Sequence, residues 1–129
     1  MKAPETLDEA VDQLLSQMSE SDKQAYRRED PDHPGSRFHF GGGMAMRNRW
    51  SLWDHDTPLS QWFLSHGIFH GDDRSAVIFK ALYCRLTDTP FDIAKEAAFY
   101  EAFWAKSGGS ESTVVITRQP NGRLKIDHS

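Results

Sequence analysis

Residues 73–87 carry apolar side chains nearly all the way round a helix: Ala76, Val77, Ile78, Phe79, Ala81, Leu82, Tyr83 and Leu86 leave little room for a polar face. A helix of that kind has to be covered on most sides, so it belongs at the centre of a core built by the rest of the chain. The 129 residues correspond to one domain, and a chain of this size buries roughly two-thirds of the surface its unfolded form exposes.

The covering elements can be read from their caps and breakers. Thr6-Leu7-Asp8-Glu9 has the form of a capping box, and Leu7, Val11, Leu14, Leu15 and Met18 then recur at helical spacing, predicting a helix over about 7–18. Ser19 caps a short second helix reaching about Arg28. The EDPDHPGS stretch at 29–36 holds two prolines and a glycine and excludes regular structure. A third helix is expected over about 40–52, with Met46, Trp50 and Trp53 at i, i+4 and i+7. Gly41, Gly42 and Gly43 oppose an early start, so the alternative is a helix beginning only at Met44. Asp56 or Thr57 caps a fourth, short helix with Pro58 in its first turn and Gly67 as terminator. Asp72 and Asp73 are placed to cap the central helix. Asp92 caps a last helix to about Lys106, with Ile93, Ala97, Tyr100 and Trp104 on one stripe. The period then changes to that of strands around a Pro120-Asn121-Gly122 turn, which predicts a hairpin. The expected fold class is therefore mainly α: a compact bundle of about six helices with a small C-terminal β-hairpin over 112–127. An isolated hairpin is marginal, so this one should pack on the helices or pair with another chain.

Chemistry-bearing residues concentrate in 37–74, which hold Trp50, Trp53 and Trp62 together with His39, His55, His66 and His70. His66 and His70 have the i, i+4 spacing of a zinc pair. Gly67 stands where a zinc hydrolase needs its glutamate and ends the helix between them, so no metal site is assigned. Asp54-His55-Asp56 puts carboxylates beside an imidazole, an arrangement that raises its pKa. These aspartates also sit where caps and turns are expected. Gly41-Gly42-Gly43 lacks the Lys-Ser/Thr of a phosphate loop and reads as room for close packing of a bulky aromatic. Arg47, Asn48 and Arg49 beside Trp50 and Trp53 have the composition of an interface hot spot, or of a core in which the arginines pair with nearby acids.

Charge narrows the partners. Residues 1–36 carry four Lys/Arg against nine Asp/Glu within a net charge of −4, and there is no basic block, so nucleic-acid binding is disfavoured. The acidic end is a solvated face or a dock for a basic partner. Cys84 stands alone in an apolar run, which excludes an internal disulfide and a CxxC site and reads as a buried apolar residue. The N-terminus lacks a secretory h-region and no run reaches the roughly 18 apolar residues of a membrane span. The expectation is a cytoplasmic protein without membrane contact.

The string Phe38-His39-Phe40-Gly41-x-Gly43-Met44-x-x-Arg47-Asn48-x-Trp50-x-Leu52-Trp53, followed by His70-x-Asp72-Asp73-x-Ser75, resembles a family of small bacterial and phage-associated proteins defined as a domain of unknown function. The resemblance spans roughly residues 5–87, and the last helix over 91–108 and the hairpin lie outside it. It implies an accessory role and carries no activity, cofactor or catalytic residue.

The functional expectation is a small non-enzymatic interaction protein of inhibitor, immunity or accessory type, without a cofactor. It would bind another protein, or a second copy of itself, through Arg47, Asn48, Arg49, Trp50 and Trp53. The alternative is a small hydrolase or ligand-binding domain that uses His39, His70, Asp72 and Asp73 around the glycine segment.

Overall fold

The computed structural model describes residues 2–29, 42–107 and 114–128. These form six helices and one hairpin: α1 Leu7–Gln17, α2 Glu20–Arg27, α3 Gly42–Arg49, α4 Pro58–Ser65, α5 Gly71–Thr87, α6 Ile93–Ser107, β1 Val114–Arg118 and β2 Leu124–His128. The mainly α reading with a small C-terminal hairpin holds. The proline-rich stretch and Gly41 lie outside the described residues.

α5 is the centre. α1, α2 and α3 all pack directly on it. Val77 and Ile78 are fully enclosed, and Leu7, Ala10 and Val11 of α1 and Tyr26 of α2 join the same core. The Tyr26 hydroxyl donates to the carbonyl of Phe79 at 2.7 Å, which fixes α2 against α5 through a satisfied buried polar group. Cys84 is buried in α5 as an apolar residue would be.

Local chemistry explains the helix ends. Ser19 and Asp22 form the reciprocal capping box of α2. At α1 the box is half-made: the Glu9 amide donates to Thr6 Oγ1 at 3.2 Å, while the Thr6 hydroxyl meets the Glu9 carboxylate at 3.4 Å. Thr57, rather than Asp56, caps α4. α3 begins at Gly42, earlier than the Met44 alternative, and stops at Arg49, short of residue 52. It stops because Ser51 turns left-handed at φ 51°, so that the amides of Ser51 and Leu52 reach back to the carbonyls of Asn48 and Arg47. α4 ends in the same way at Gly67, φ 85°.

The start of α5 corrects the expectation that Asp72 and Asp73 cap it. The cap is His70, whose Nδ1 accepts the Asp72 amide at 3.2 Å, and the helix begins at Gly71. Both aspartates therefore sit in the first turn with their carboxylates free for other contacts.

α6 lies against the bundle through the expected stripe of Ile93, Ala97, Tyr100 and Trp104, all half-buried. The antiparallel hairpin pairs Val114 with His128 through Arg118 with Leu124. It docks on α4 by a side chain acting as a backbone. The Gln61 amide donates to the Leu124 carbonyl at 2.8 Å and accepts the Leu124 amide at 2.7 Å. Arg123 adds a bond to the Asp56 carbonyl and a 3.6 Å ion pair with its carboxylate. Among the described residues no helix is long and apolar enough to cross a membrane.

Candidate functional site

The two halves of the tryptophan- and histidine-rich stretch meet around the first turn of α5. The left-handed turn after α3 sends Trp50 inward and Trp53 outward: Trp50 is buried, and Trp53 is 51% exposed. The reading of Met46, Trp50 and Trp53 as one helical stripe therefore holds only for the first two. The Trp53 ring lies close against Gly71, where a Cβ would stand 2.6 Å from Trp53 Cε3. This close approach needs a glycine, and Gly71 supplies it; the close-packing reading of the triplet at 41–43 falls on residues whose surroundings the structure does not describe.

Arg74 organises the interior beneath this turn. It is the largest fully enclosed side chain among the described residues. Its Nε donates to the Ile68 carbonyl at 3.2 Å, Nη1 to those of Leu52 at 2.9 Å and Asp54 at 3.1 Å, and Nη2 to His55 Nδ1 at 3.1 Å. One planar fork thus ties the turn after α3 to the segment between α4 and α5. Burial lowers the Arg74 pKa to about 10, and the fields of Asp73 and Asp54 oppose that shift, so the group stays charged at neutral pH.

Two further clusters flank Arg74. Arg47 is buried, donates to Ser75 Oγ at 3.0 Å, faces the Asp72 carboxylate at 3.5 Å, and has its guanidinium carbon 6.0 Å from the Trp53 ring centroid. On the other side, Trp104 Nε1 donates to Asp73 Oδ2 at 2.8 Å, tying α6 to α5. Asp73 is buried, and desolvation raises its pKa against the lowering effect of that hydrogen bond and of the His70 field. The His70 ring is bracketed by Trp53 at 5.3 Å, edge-on, and by Trp104 at 4.9 Å.

His70, Asp72 and Asp73 are neighbours, yet each is already engaged: as a helix cap, as the Arg47 partner and as the Trp104 acceptor. His39 lies outside the described residues. His66 and His70 sit on different elements, and His66 Nδ1 donates to the Trp62 carbonyl at 2.9 Å. No group of three or more metal-ligating side chains occurs among the described residues. A cleft of about 270 Å³ lies elsewhere, between α1 and the end of α5, lined by Leu7, Val11, Cys84, Arg85, Asp88 and Phe91 among others.

Of the expected binding residues, Arg47 and Trp50 are interior, while Asn48, Arg49 and Trp53 are exposed. Arg49 reaches Gln17 of α1 at 3.5 Å. The expectation that Asp54 and Asp56 raise the His55 pKa is reversed. Burial and the Arg74 charge lower it, and the two aspartates only partly compensate. Part of the acidic N-terminal face is likewise engaged, since Arg85 pairs with Asp8 at 3.6 Å and Asp12 at 2.8 Å.

Sequence reasoning missed Arg74, Phe99 and Phe103. The two phenylalanines are 62% and 51% exposed on α6, on the face beside its packed stripe. Their i, i+4 spacing was a readable signal, because α6 has apolar residues on two faces instead of one.

No curated protein and no solved structure matches this chain. A family model does match, over residues 3–86, and it covers the two motif halves that meet at the first turn of α5. The chain belongs to the family described as a domain of unknown function, DUF6794.

Proposed function

We propose that this is a non-enzymatic protein-interaction module of inhibitor, immunity or accessory type, acting in a bacterial cytoplasm. Its partner docks on an aromatic ridge. The observation that carries this reading is that Trp53, Phe99 and Phe103, the exposed large apolar side chains of the described residues, share one system of rings. Trp53 contacts His70, His70 contacts Trp104, Trp104 contacts Phe103 at 5.0 Å, and Phe99 lies one helical turn before Phe103. Exposed contiguous aromatics of this kind mark binding surfaces. Lys95 and Lys106 are exposed near the two ends of the Phe99–Phe103 stripe. The fitting partner is a protein with an apolar patch and an acidic rim.

The test is affinity capture from the native host with mass spectrometry, comparing the native chain with a Phe99→Ser/Phe103→Ser variant. A partner held by the native chain should bind the variant about thirtyfold more weakly, the loss expected at a hot spot of ~2 kcal/mol. Equal capture by both chains, or no specific partner, overturns the reading. Sedimentation of the native chain separates a second copy of itself from a foreign partner. The second reading, a hydrolase or ligand-binding site at His39, His70, Asp72 and Asp73, draws support from the raised pKa of buried Asp73 beside His70.

A further inference from the structure

His55 occupies an unusual position for an imidazole. Among the described residues, its ring meets a hydrogen-bonding partner at Nδ1, where Arg74 Nη2 stands 3.1 Å away. A guanidinium has donors and no acceptor, so Nδ1 must present its lone pair, and the neutral ring carries its proton on Nε2. The rest of the residue lies on the path that holds the hairpin. The His55 carbonyl accepts Gln61 Nε2 at 2.7 Å, and the same amide nitrogen donates to the Leu124 carbonyl. Asp56, the next residue, holds Arg123. An unbroken series of hydrogen bonds thus leads from the buried guanidinium through His55 and Gln61 to the start of β2.

We propose that His55 is an acid-sensitive latch: neutral, it anchors the turn after α3 to Arg74 and keeps Gln61 and Asp56 placed to hold the hairpin, and protonated, it lets that hold go. A second proton on the ring would put an N–H where Arg74 already points one, with two positive charges in contact and no acceptor between them. The ring must then swing away, and its carbonyl moves with it.

The charged groups that bear on His55 are Arg74 from α5, Asp54 and Asp56 from its own turn, and Arg123 at the start of β2, which reaches it through Asp56. Burial and Arg74 outweigh the aspartates, so the folded pKa lies below the ordinary 6.5. A depressed folded pKa means that the anchoring is fully present above 6.5 and is lost as pH falls through the folded value. The latch does not depend on the interaction reading, because it concerns the hairpin and not the aromatic ridge.

Two NMR measurements on the full chain test it. Long-range nitrogen–proton spectra should show His55 as the Nε2–H tautomer at neutral pH, titrating below 6.5. Amide exchange, corrected for intrinsic rates, should show Leu124 losing protection several-fold over the same titration while Val77 and Ile78 in α5 keep theirs. In His55→Asn, whose side-chain oxygen can accept from Arg74 but does not titrate, the Leu124 response should vanish. An Nδ1–H tautomer, a titration that leaves Leu124 unaffected, or an unchanged Leu124 response in His55→Asn each overturns the latch. The first two readouts need only the native protein and stand even if the variant does not fold.

Discussion

The family-matched part of the chain and the segment after it are held together by different physics. Residues 3–86 enclose a set of large apolar side chains completely, with Leu52, Phe63 and Ile78 among those sealed from solvent. They also bury a guanidinium that ties three backbone carbonyls together. α6 and the hairpin attach at points: Trp104 to Asp73, Lys80 to Glu96 at 2.5 Å, Gln61 to Leu124 and Arg123 to Asp56. Glu96 is the buried residue of α6, while two of its phenylalanines face outward. The first part is held by burial and fails as a whole. The second is held by one half-buried stripe of α6 and a few polar contacts, and can let go piece by piece.

Arg74→Met gives the sharpest break. It removes the donors from the carbonyls of Leu52, Asp54 and Ile68 at once. Each buried acceptor left unpaired costs about 1–3 kcal/mol, and the carbonyls of Leu52 and Ile68 are buried, so the loss should be at least about 2 kcal/mol. Urea unfolding measures it, and a loss under about 1 kcal/mol would mean that the fork does not hold the core.

Trp104→Phe should cost about 1.5–3 kcal/mol, since a bond to a buried carboxylate is lost. Amide exchange should rise in α6 and stay slow in α5, because the contact is peripheral to the core. A uniform rise through both helices would erase the distinction between the two parts. Asp73→Asn isolates the charge. The folded pKa of Asp73 is raised, so its contribution to stability is fully present below the ordinary carboxylate value and is lost as pH rises through the folded value. That dependence should be missing from the variant's stability profile. Its sign is opposite to that of His55, which separates the two groups in a pH titration.

Gly71→Ala tests the surface of the first part. The added methyl collides with the Trp53 ring, and overpacking costs about 1–3 kcal/mol, with the low end expected because half of the ring faces water. The Trp53 emission should change as the ring lifts. Phe99→Ser with Phe103→Ser stands last on stability, within about 0.5 kcal/mol by thermal unfolding, since exposed side chains contribute little to the fold. A larger loss would show that the second part relies on them for packing rather than for a partner.

The helices could be read from the sequence because their determinants are local. Thr6, Ser19, Thr57 and Asp92 cap from their own position, and the Asn121-Gly122 turn sets the hairpin. The central place of α5 followed from its nearly continuous apolar surface. Arg74 could not be found in this way. Its acceptors come from residues 52, 54 and 68, and only the folded chain brings them together. An arginine that snorkels and one that is sealed look alike in a periodic pattern. The candidate site shifted for a smaller reason. His70 is not among the strong N-cap residues, so the helix start was placed too late and Asp72 and Asp73 were given its work. The hot-spot composition of Arg47–Trp53 was visible, but which of these residues face water depends on the left-handed turn at Ser51.

Gln61 has a consequence for how copies of this chain behave when crowded. Its amide presents to Leu124 the donor and acceptor that a neighbouring strand would present. A helix side chain thus stands in for a third strand, and at this position β2 has no open template onto which another molecule could add. Two-stranded sheets are ordinarily exposed to edge-to-edge growth on both sides. At Leu124 that edge is covered by a single primary amide, and loosening the amide would uncover the backbone donor and acceptor that another strand needs.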